Sequence, residues 1–387
     1  MSSQRTIAVL SSSRADYGHL YWPLRAMQEH TELDPRLILF GAHLSPVFGH
    51  TADEVTRDGF QVHETAECLL SSDTDVGMAK TIGLATLSLA DTLSRLRPDL
   101  ILVIADRYEM LAPATVALAL RIPIAHIEGG DISEGAIDDA VRNALTKLSH
   151  LHFTPHRQAH DRVINMGEEP WRVSVSGAPS LDHLRHSKLA PARAVHEKLG
   201  LPEGKPLVVV AHHPVTLHRE TTDECQAVLD SLQLLVKEQA AVVAFCFPNA
   251  DAGAHHIVSQ AKAFCAVNQT AQLYVNLPHL TYWSLLGCAD LVLGNSSSGI
   301  METPSLRLPC VDIGDRQRGR LQAANIIHST ADAAAITVAI RGALQPAFRE
   351  SLHNLANPYG DGHAGSHIAD TIARTRLGDK LLIKRAL

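Results

Sequence analysis

Short apolar runs alternate with amphipathic stretches along the whole chain, and this rhythm restricts the possible folds more than any other feature. Thr6–Leu10, Arg36–Phe40 and Asp99–Ala105 are predicted strands. Leu20–His30 and Ala79–Leu96 carry apolar residues at helical spacing. A strand, a helix and a second strand at this spacing pair in parallel through a right-handed crossover. The chain is therefore predicted to be an α/β protein.

The rhythm weakens once, and this break predicts a domain boundary. Ser187–Pro206 carries three prolines and two glycines between the elements. The 387 residues suggest two domains at roughly 150 residues each, here 1–186 and 187–387. The last helix, at about 366–377, is a candidate for packing back on the first domain. Two Rossmann-like domains would leave a cleft between them, and ligands of such sheets bind beyond the carboxyl ends of the strands.

Charge, hydropathy and cysteine usage exclude several classes of protein. A net charge of −7 argues against general nucleic-acid binding. The longest apolar run, Ala240–Phe247, is far shorter than the about 20 residues that a membrane span needs, and the N-terminus lacks the apolar region of a signal peptide. The six cysteines form no CxxC pair. We therefore expect a cytoplasmic protein with neither a nucleic-acid nor a membrane partner.

No metal site is expected. The adjacent histidines His212-His213 and His255-His256 are poor chelates, because neighbours in a strand point to opposite faces.

A phosphate site is predicted where a buried strand ends in the string DLVLGNSSSGIMETP, Asp290–Pro304. A helix opens after the polar turn, and the unpaired N–H groups of a helix start hold phosphate oxygens. The residues assigned to this site are Ser296, Ser297, Ser298, Gly299 and Glu302. Gly299, which has no side chain, would let the ligand approach the backbone closely. Glu302, four residues after Ser298, would accept hydrogen bonds from ribose hydroxyls. An ordinary serine N-cap followed by an acidic residue is the alternative.

Three basic residues at other strand ends are also assigned to the substrate. Arg14, in the loop SSSRADYG after the first strand, is a candidate diphosphate clamp. His213 follows the first strand of the second domain and is a candidate donor to a phosphate or sugar oxygen. Arg316 belongs to the string GDRQRGR after a later strand. A solvated surface loop is the alternative for Arg14, and it is the preferred interpretation for Arg318.

Catalysis is assigned to a group of carboxylates in the first domain. Asp106 and Glu128 each follow a buried strand and are expected to face the cleft. Asp138 lies in the first turn of the next helix, with Arg142 as its i,i+4 partner. Carboxylates that converge in a cleft are suited to proton transfer. A simple Asp138–Arg142 ion pair, or carboxylates that only complement the helix dipole, are the structural alternatives.

Together these residues resemble the UDP-N-acetylglucosamine 2-epimerase family, in its hydrolysing branch. The strings that carry the resemblance run in family order from residue 11 to about residue 320: SRADYG, ADRYE, HIEGGDISEGAIDDAVRNALTKLSHLHF, HHPVT, PNADAG, GNSSSGIMETPSL and DIGDRQRGR. The string AIDDAVRN and the SSS loop separate the chain from the non-hydrolysing branch. The resemblance implies a two-domain fold of the glycosyltransferase-B type.

The resemblance also implies individual roles. The catalytic carboxylates of the family match Asp106, Glu128 and Asp138. Its phosphate and ribose ligands match Arg14, His213, Ser297, Ser298 and Glu302. The predicted substrate-binding set is completed by Arg142, Arg316 and, within PNADAG, Asn249.

The chain departs from the family pattern at two positions near the carboxylates. Ala105 stands where the family usually has glycine before the aspartate, and Asn143 stands where it usually has histidine after the arginine. If that histidine assists proton transfer, another group must fill its role here.

The expected reaction converts UDP-N-acetylglucosamine and water to N-acetylmannosamine and UDP, by anti-elimination to 2-acetamidoglucal and then hydration. It needs no metal and no nicotinamide, and no GxGxxG string follows the first strand. UDP-N,N'-diacetylbacillosamine is a competing substrate, because Leu69–Thr74 reads LLSSDT as in some relatives that use it. A retaining glycosyltransferase of the same fold and a non-catalytic nucleotide-sugar sensor are the rival functions. A homo-oligomer is expected.

Overall fold

The computed structural model describes residues 4–70, 74–215, 222–238, 241–247, 254–275 and 277–385. These residues form two compact units. The first unit takes in the chain up to Asp131, then Ile137–Arg185, and then the chain from Tyr359 onward. The second unit consists of Ile132–Ala136 and His186–Pro358. Each unit is built on its own parallel sheet.

Within the described residues, the sheet of the first unit has seven strands in the order β3-β2-β1-β4-β5-β6-β7. All neighbouring pairs are parallel. The strands are β1 Arg5–Ser11, β2 Leu33–Phe40, β3 Val62–Ala66, β4 Leu100–Ile104, β5 Ile124–Ile127, β6 Leu151–Thr154 and β7 Val173–Val175. The chain reverses its direction across the sheet between β1 and β4, which makes the carboxyl ends of these strands a topological switch point.

The sheet of the second unit has six strands within the described residues, in the order β10-β9-β8-β11-β12-β13. Its pairs are parallel as well. The strands are β8 Leu207–Ala211, β9 Val242–Phe247, β10 Ala271–Val275, β11 Leu291–Gly294, β12 Cys310–Ile313 and β13 Ile326–Ser329. Here the switch point lies between β8 and β11.

Helices connect the strands in both units. They are α1 Arg14–Glu29, α2 Ala52–Arg57, α3 Asp75–Leu96, α4 Leu111–Leu120, α5 Asp138–Leu148, α6 Arg157–Asn165, α7 Asp182–His186, α8 Ala192–Leu199, α9 Thr222–Lys237, α10 Ala254–Val267, α11 His279–Cys288, α12 Ser297–Met301, α13 Ala333–Ala343, α14 Pro346–Ser351, α15 Ala364–Arg374 and α16 Asp379–Leu382. Among the described residues, no helix combines the length and apolar character that a bilayer span requires.

The central strands are buried along their whole length. Every residue of β4 and of β8 is buried, as expected for parallel strands with helices on both faces. This explains why the runs LILVI and LVVVA are continuous rather than alternating. The prediction of a parallel α/β fold is confirmed.

Predictions from the sequence are less accurate at the ends of helices. It predicts a helix over Leu20–His30, but α1 begins at Arg14, so the predicted loop over Ser11–Gly18 is wrong beyond Ser13. The helix starts early because Ser13 and Asp16 form a capping box. The helix predicted to open after the polar turn is only the short α12, followed by a 3-10 turn at Thr303–Leu306. Pro304 in that turn lacks the N–H that an α-helix would use.

The C-terminal segment is fixed to the first unit by side-chain capping. The carboxylate of Asp182 accepts the backbone N–H groups of Ala364 at 3.0 Å and Gly365 at 2.7 Å, at the start of α15. A Cβ at position 365 would lie 2.7 Å from the backbone carbon of Trp22. Only glycine therefore allows α15 to approach α1 this closely.

Candidate active site

Two neighbouring strands of the first unit, β4 and β5, are each followed directly by a residue with a left-handed backbone. The φ angle of Ala105 is 55° and that of Glu128 is 64°. This conformation costs an L-residue about 1–2 kcal/mol, and such residues concentrate at functional sites. Ala105 N donates to Ile127 O at 2.9 Å, and Glu128 N donates to Phe153 O at 2.7 Å. Backbone hydrogen bonds to the adjacent strands thus hold both strained turns in place.

A buried arginine organises the carboxylates that follow these turns. The side chain of Arg142, on α5, is 1% exposed and forms an ion pair with the carboxylate of Asp106. Its Nη1 also donates to the carbonyl oxygen of Asp131 at 3.0 Å and to Oδ1 of Asp139 at 3.2 Å. Arg142 therefore joins the end of β4 to the start of α5. Asp138 is half-buried in the first turn of the same helix.

A buried histidine stabilises the turn at Ala105 through a hydrogen bond to its carbonyl oxygen. His126, on β5, is fully buried, and burial lowers the pKa of its imidazole to about 3. Nε2 of this neutral ring lies 2.8 Å from the carbonyl oxygen of Ala105 and donates to it. A Cβ at Gly129 would lie 3.0 Å from Nδ1 of His126. The first glycine of the string HIEGG therefore makes room for this ring.

The loop after β1 is ordered by an aspartate that the sequence analysis did not single out. Asp16 Oδ2 accepts Ser12 N at 2.9 Å, Ser12 Oγ at 2.6 Å and Ser13 N at 3.1 Å. Burial raises the pKa of Asp16, while the nearby charge of Arg107 opposes the rise. Arg14, predicted to clamp the diphosphate, is the first residue of α1 and is half-buried.

In the second unit, Asn295 joins the ends of the two switch-point strands. Asn295 is fully buried, and its backbone N–H donates to the carbonyl oxygen of Ala211 at 3.1 Å. Its Oδ1 accepts His213 N at 2.7 Å, and its Nδ2 donates to His213 O at 2.9 Å. A Cβ at Gly294 would lie 2.2 Å from Ala211 O. The glycine therefore lets β11 approach β8 closely enough for this clamp to form.

The serine turn after Asn295 has the geometry of an N-cap. The side chain of Ser296 accepts the N–H of Ser298 at 3.4 Å, and α12 begins at Ser297. Ser298 Oγ donates to Oε2 of Glu302 at 2.6 Å and lies 3.0 Å from the hydroxyl of Tyr282. Glu302 is 6% exposed. The predicted pairing of Ser298 and Glu302 on one helical face is therefore present.

Gly299 has a packing role that the sequence does not indicate. A Cβ at this position would lie 2.7 Å from Sγ of Cys310 on β12. Close approach of α12 to the sheet is thus sufficient to explain the glycine. Its predicted role in admitting a ligand stays a prediction.

The carbonyl oxygen of Asn295 accepts hydrogen bonds from two side chains. Nη1 of Arg316 donates to Asn295 O at 3.0 Å, and Gln317 donates to the same oxygen at 2.9 Å. His213 is buried, as is His212, whose pKa burial and the charge of Arg316 lower to about 4. The ring nitrogens of His212 have no hydrogen-bond partner among the described residues.

The side chain of Arg318 is 67% exposed and pairs with Glu134 at 3.2 Å, which agrees with a surface position. Asn249 lies outside the described residues.

Sequence reasoning missed three residues that contact the predicted site residues. His19 contacts Glu128, Asp16 holds the serine loop, and Asn295 holds His213. Each lies inside a string already recognised: Asp16 and His19 in or next to SRADYG, and Asn295 in GNSSSG. The signal for these residues is their position in or next to these strings rather than their residue type.

Comparison with known proteins identifies the family. A family model for UDP-N-acetylglucosamine 2-epimerase matches residues 25–373. The chain is 35% identical to a GDP/UDP-N,N'-diacetylbacillosamine 2-epimerase (hydrolyzing) of Campylobacter jejuni. The 329 aligned residues cover 84% of this chain and 85% of that protein. It is 30% identical to a UDP-N,N'-diacetylbacillosamine 2-epimerase (hydrolyzing) of Legionella pneumophila. This alignment of 396 residues covers 98% of each chain. A UDP-N-acetylglucosamine 2-epimerase of Neisseria meningitidis is 31% identical over 332 residues, 84% of each.

The crystal structure of a UDP-GlcNAc 2-epimerase from Neisseria meningitidis bound to UDP-GlcNAc has the same fold. Its TM-score is 0.81 at 17% identity, over 96% of this chain and 100% of that chain. The predicted α/β fold of the glycosyltransferase-B type is therefore confirmed. With a family model matching most of its length and relatives at 30% identity or more, the chain belongs to the UDP-N-acetylglucosamine 2-epimerase family.

Proposed function

We propose that the protein is a hydrolysing 2-epimerase that converts UDP-N-acetylglucosamine and water to N-acetylmannosamine and UDP. Its family membership supports this proposal, as do two relatives with "hydrolyzing" in their names. The observation that carries it is the arrangement at the ends of β4 and β5. Two strained turns at neighbouring strand ends present Asp106 and Glu128, and a fully buried arginine ties Asp106 to the helix that bears Asp138.

The chemistry requires two kinds of help from the protein. The C1–O bond to UDP must weaken before the C2 proton becomes acidic enough to remove. Donors that stabilise the departing diphosphate therefore lower the barrier, and a carboxylate takes the C2 proton. The bonding electrons of C1–O leave with UDP, the C2–H electrons form the C1–C2 double bond, and 2-acetamidoglucal results.

Hydration then completes the reaction. A water molecule adds its oxygen to C1, and a proton returns to C2 from the opposite face of the ring. Both steps are proton transfers between carbon or oxygen and carboxyl groups, so Asp106, Glu128 and Asp138 supply the chemistry required. Arg142 keeps Asp106 oriented throughout.

The residues assigned to the UDP end of the substrate are those that the sequence predicts for it. The assigned residues are Arg14, His213, Asn249, Ser296, Ser297, Ser298, Gly299, Glu302 and Arg316. The buried Asn295 supports this assignment, because it fixes the backbone of His213 and accepts a hydrogen bond from Arg316 on its own carbonyl oxygen. Glu302, held by Ser298, is assigned to the ribose hydroxyls.

A second substrate has direct support. The relatives from Campylobacter jejuni and Legionella pneumophila are named for N,N'-diacetylbacillosamine, and the string LLSSDT points the same way. Residues 71–73 of that string lie outside the described residues. The same elimination and hydration apply to either sugar, because both carry an acetamido group at C2.

One experiment tests the function and chooses the substrate. The protein is incubated with UDP-N-acetylglucosamine or UDP-N,N'-diacetylbacillosamine and no acceptor, and UDP and free sugar are measured. We expect UDP and a free sugar with inverted C2 in both reactions, with the higher kcat/KM for UDP-N-acetylglucosamine. A preference of several hundredfold for the diacetylated sugar would reverse the choice of substrate. Absence of UDP release from both would reject the hydrolysing epimerase in favour of a glycosyltransferase or a sensor.

The cysteines indicate the cellular compartment of the protein. All six cysteines carry free thiols, which fits a reducing compartment, so we assign the protein to the cytoplasm. A homo-oligomeric state is proposed as well, and sedimentation of the purified protein tests it.

A further inference from the structure

His19 and Glu128 form a close side-chain contact that links α1 to the end of β5. Nδ1 of His19 lies 2.9 Å from Oε1 of Glu128, across 109 positions of sequence. Both residues belong to the first unit. The side chain of His19 is 23% exposed and that of Glu128 is 8% exposed. The pair is therefore shielded from bulk water. In such a shielded place a hydrogen bond to a charged group is stronger than at an open surface.

Glu128 depends on this contact for its orientation. Its backbone is held in the left-handed region, with N bonded to Phe153 O. Among the described residues, His19 is the one side-chain partner of its carboxylate. The strand end therefore fixes where the side chain begins, and the imidazole fixes where the carboxylate points.

The chemistry of the contact assigns a proton to a particular nitrogen. An ionised carboxylate only accepts hydrogen bonds, so the Nδ1 atom of His19 must carry the hydrogen. Oε1 is occupied by this bond. Within the described residues, the side-chain contact of this carboxylate is made through Oε1, so Oε2 is the oxygen left to meet a substrate proton.

We propose that His19 is a positioning residue for Glu128, and that it holds Oε1 so that Oε2 meets the sugar ring. This role rests on the proposed function, in which Glu128 transfers a proton at the sugar.

The kinetic test compares substitutions that keep or remove the donor. His19→Leu removes the hydrogen bond and should lower kcat by about tenfold to a hundredfold, the usual effect of misplacing a reacting group. UDP affinity should stay within about twofold. The side-chain amide of asparagine reaches the position of Nδ1, so His19→Asn should recover most of the lost turnover. A matched control is His30→Leu at the C-cap of the same helix, because His30 is 24% exposed and pairs with the exposed Asp370 at 3.9 Å.

A double substitution separates positioning from general stability. If His19 acts through Glu128, then His19→Leu combined with Glu128→Gln should turn over no more slowly than Glu128→Gln alone. Multiplied losses would overturn the proposal. So would a His19→Leu protein with kcat within about twofold of the unaltered protein, or one matched by His30→Leu.

A measurement that does not require turnover keeps this inference separate from the proposed function. Nitrogen NMR of the His19 ring should show hydrogen on Nδ1 in the unaltered protein and a clear change in the ring shifts in Glu128→Gln. Identical ring spectra in the two proteins would overturn the contact itself. If the spectra change as expected but no UDP-sugar releases UDP, then the proposed function fails and the positioning role fails with it, while the contact stands. This measurement also applies if His19→Leu does not fold.

Discussion

The side-chain amide of Asn295 makes two hydrogen bonds to the backbone of His213, accepting its N–H at 2.7 Å and donating to its carbonyl at 2.9 Å. Such a two-bond clamp mimics the pairing of adjacent strands and continues it beyond β8 and β11. The carbonyl of the same residue receives Arg316 and Gln317. Two loops assigned to the UDP end of the substrate are therefore held by one buried side chain and its backbone.

Asn295→Ala is expected to weaken UDP binding without contact between Asn295 and UDP. The substitution leaves the buried backbone groups of His213 without these partners, at about 1–3 kcal/mol, and frees the loop that carries His213. Calorimetric titration with UDP measures the affinity, and urea unfolding measures the stability. Asn268→Ala is the matched control, since Asn268 is a buried asparagine of the same unit that donates to Phe264 O at 2.9 Å. Equal loss of UDP affinity in both variants would remove the special role of Asn295.

Glu302→Ala is expected to weaken UDP binding by about 1–3 kcal/mol, because a ribose hydroxyl loses its acceptor. Ser298 holds this carboxylate at 2.6 Å, so it is already in place before the ligand arrives. Calorimetry with UDP and with uracil alone distinguishes ribose contacts from base contacts. Glu238→Ala, on an exposed glutamate paired with Arg341, serves as control. Unchanged UDP affinity in Glu302→Ala would reject the ribose assignment.

The three carboxylates should each be required for turnover but not for UDP binding. Asp106→Asn, Glu128→Gln and Asp138→Asn are expected to lower kcat by about 10²–10⁴, the usual contribution of general acid–base catalysis. UDP affinity should change little, because these groups are assigned to the sugar. Asp161→Asn, on the exposed face of α6, is the control. A variant that blocks only hydration should accumulate free 2-acetamidoglucal, which identifies its step.

Isotopes check the same mechanism in the unaltered protein. Reaction in deuterated water should place deuterium at C2 of the product, and labelled water should place its oxygen at C1. Retention of protium at C2 would contradict an elimination in which the proton exchanges with solvent through a carboxyl group.

Ala105→Gly is expected to leave the free energy of unfolding unchanged or to raise it by up to about 1 kcal/mol. Glycine adopts the left-handed region without strain, although it loses more backbone entropy on folding. Ala8→Gly is the control, because Ala8 is a buried residue of β1 with extended backbone, and the same change should destabilise it by about 0.5–1 kcal/mol. Equal losses at the two positions, measured by urea unfolding, would mean that the φ of 55° carries no strain.

Glu168 is expected to make the free energy of unfolding fall as the pH is lowered into the acid range. Burial by itself would raise the pKa of this carboxyl, but hydrogen bonds from His152, Lys147 and Lys384 bring it down to about 2. A depressed pKa contributes stability above the value of the unfolded chain, about 4.3, and this contribution disappears as pH falls toward 2. Glu168→Gln should therefore lower the unfolding free energy at pH 7 by on the order of 3 kcal/mol.

The pH series supplies the control for this prediction. The difference between the unaltered protein and Glu168→Gln should be constant between pH 5 and pH 7 and should shrink below about pH 4.3. Glu238→Gln, at an exposed position, should show almost no difference at any pH. A Glu168→Gln difference that stays the same down to pH 3 would contradict the depressed pKa.

The carboxyl ends of the three strands predicted in the first domain lie within one residue of those of β1, β2 and β4, because buried parallel strands are continuous apolar runs. Helix starts were predicted less well. The capping box of Ser13 and Asp16 extends α1 into a segment that the sequence predicts to be a loop. Short edge strands such as β13 are only half-buried and carry no long apolar run, so local pattern did not reveal them.

The sequence by itself determined the α/β class and most of the strings that carry the candidate site, because these follow from local periodicity and from residues that end strands. Sheet order, and hence the neighbours of each strand end, was decided only by the tertiary structure. It joined Arg142 to Asp106, His19 to Glu128 and Asn295 to His213. Each of these pairs spans 36 residues or more. No local pattern encodes such a pair, because contact depends on how whole strands and helices pack rather than on the residues nearby in sequence.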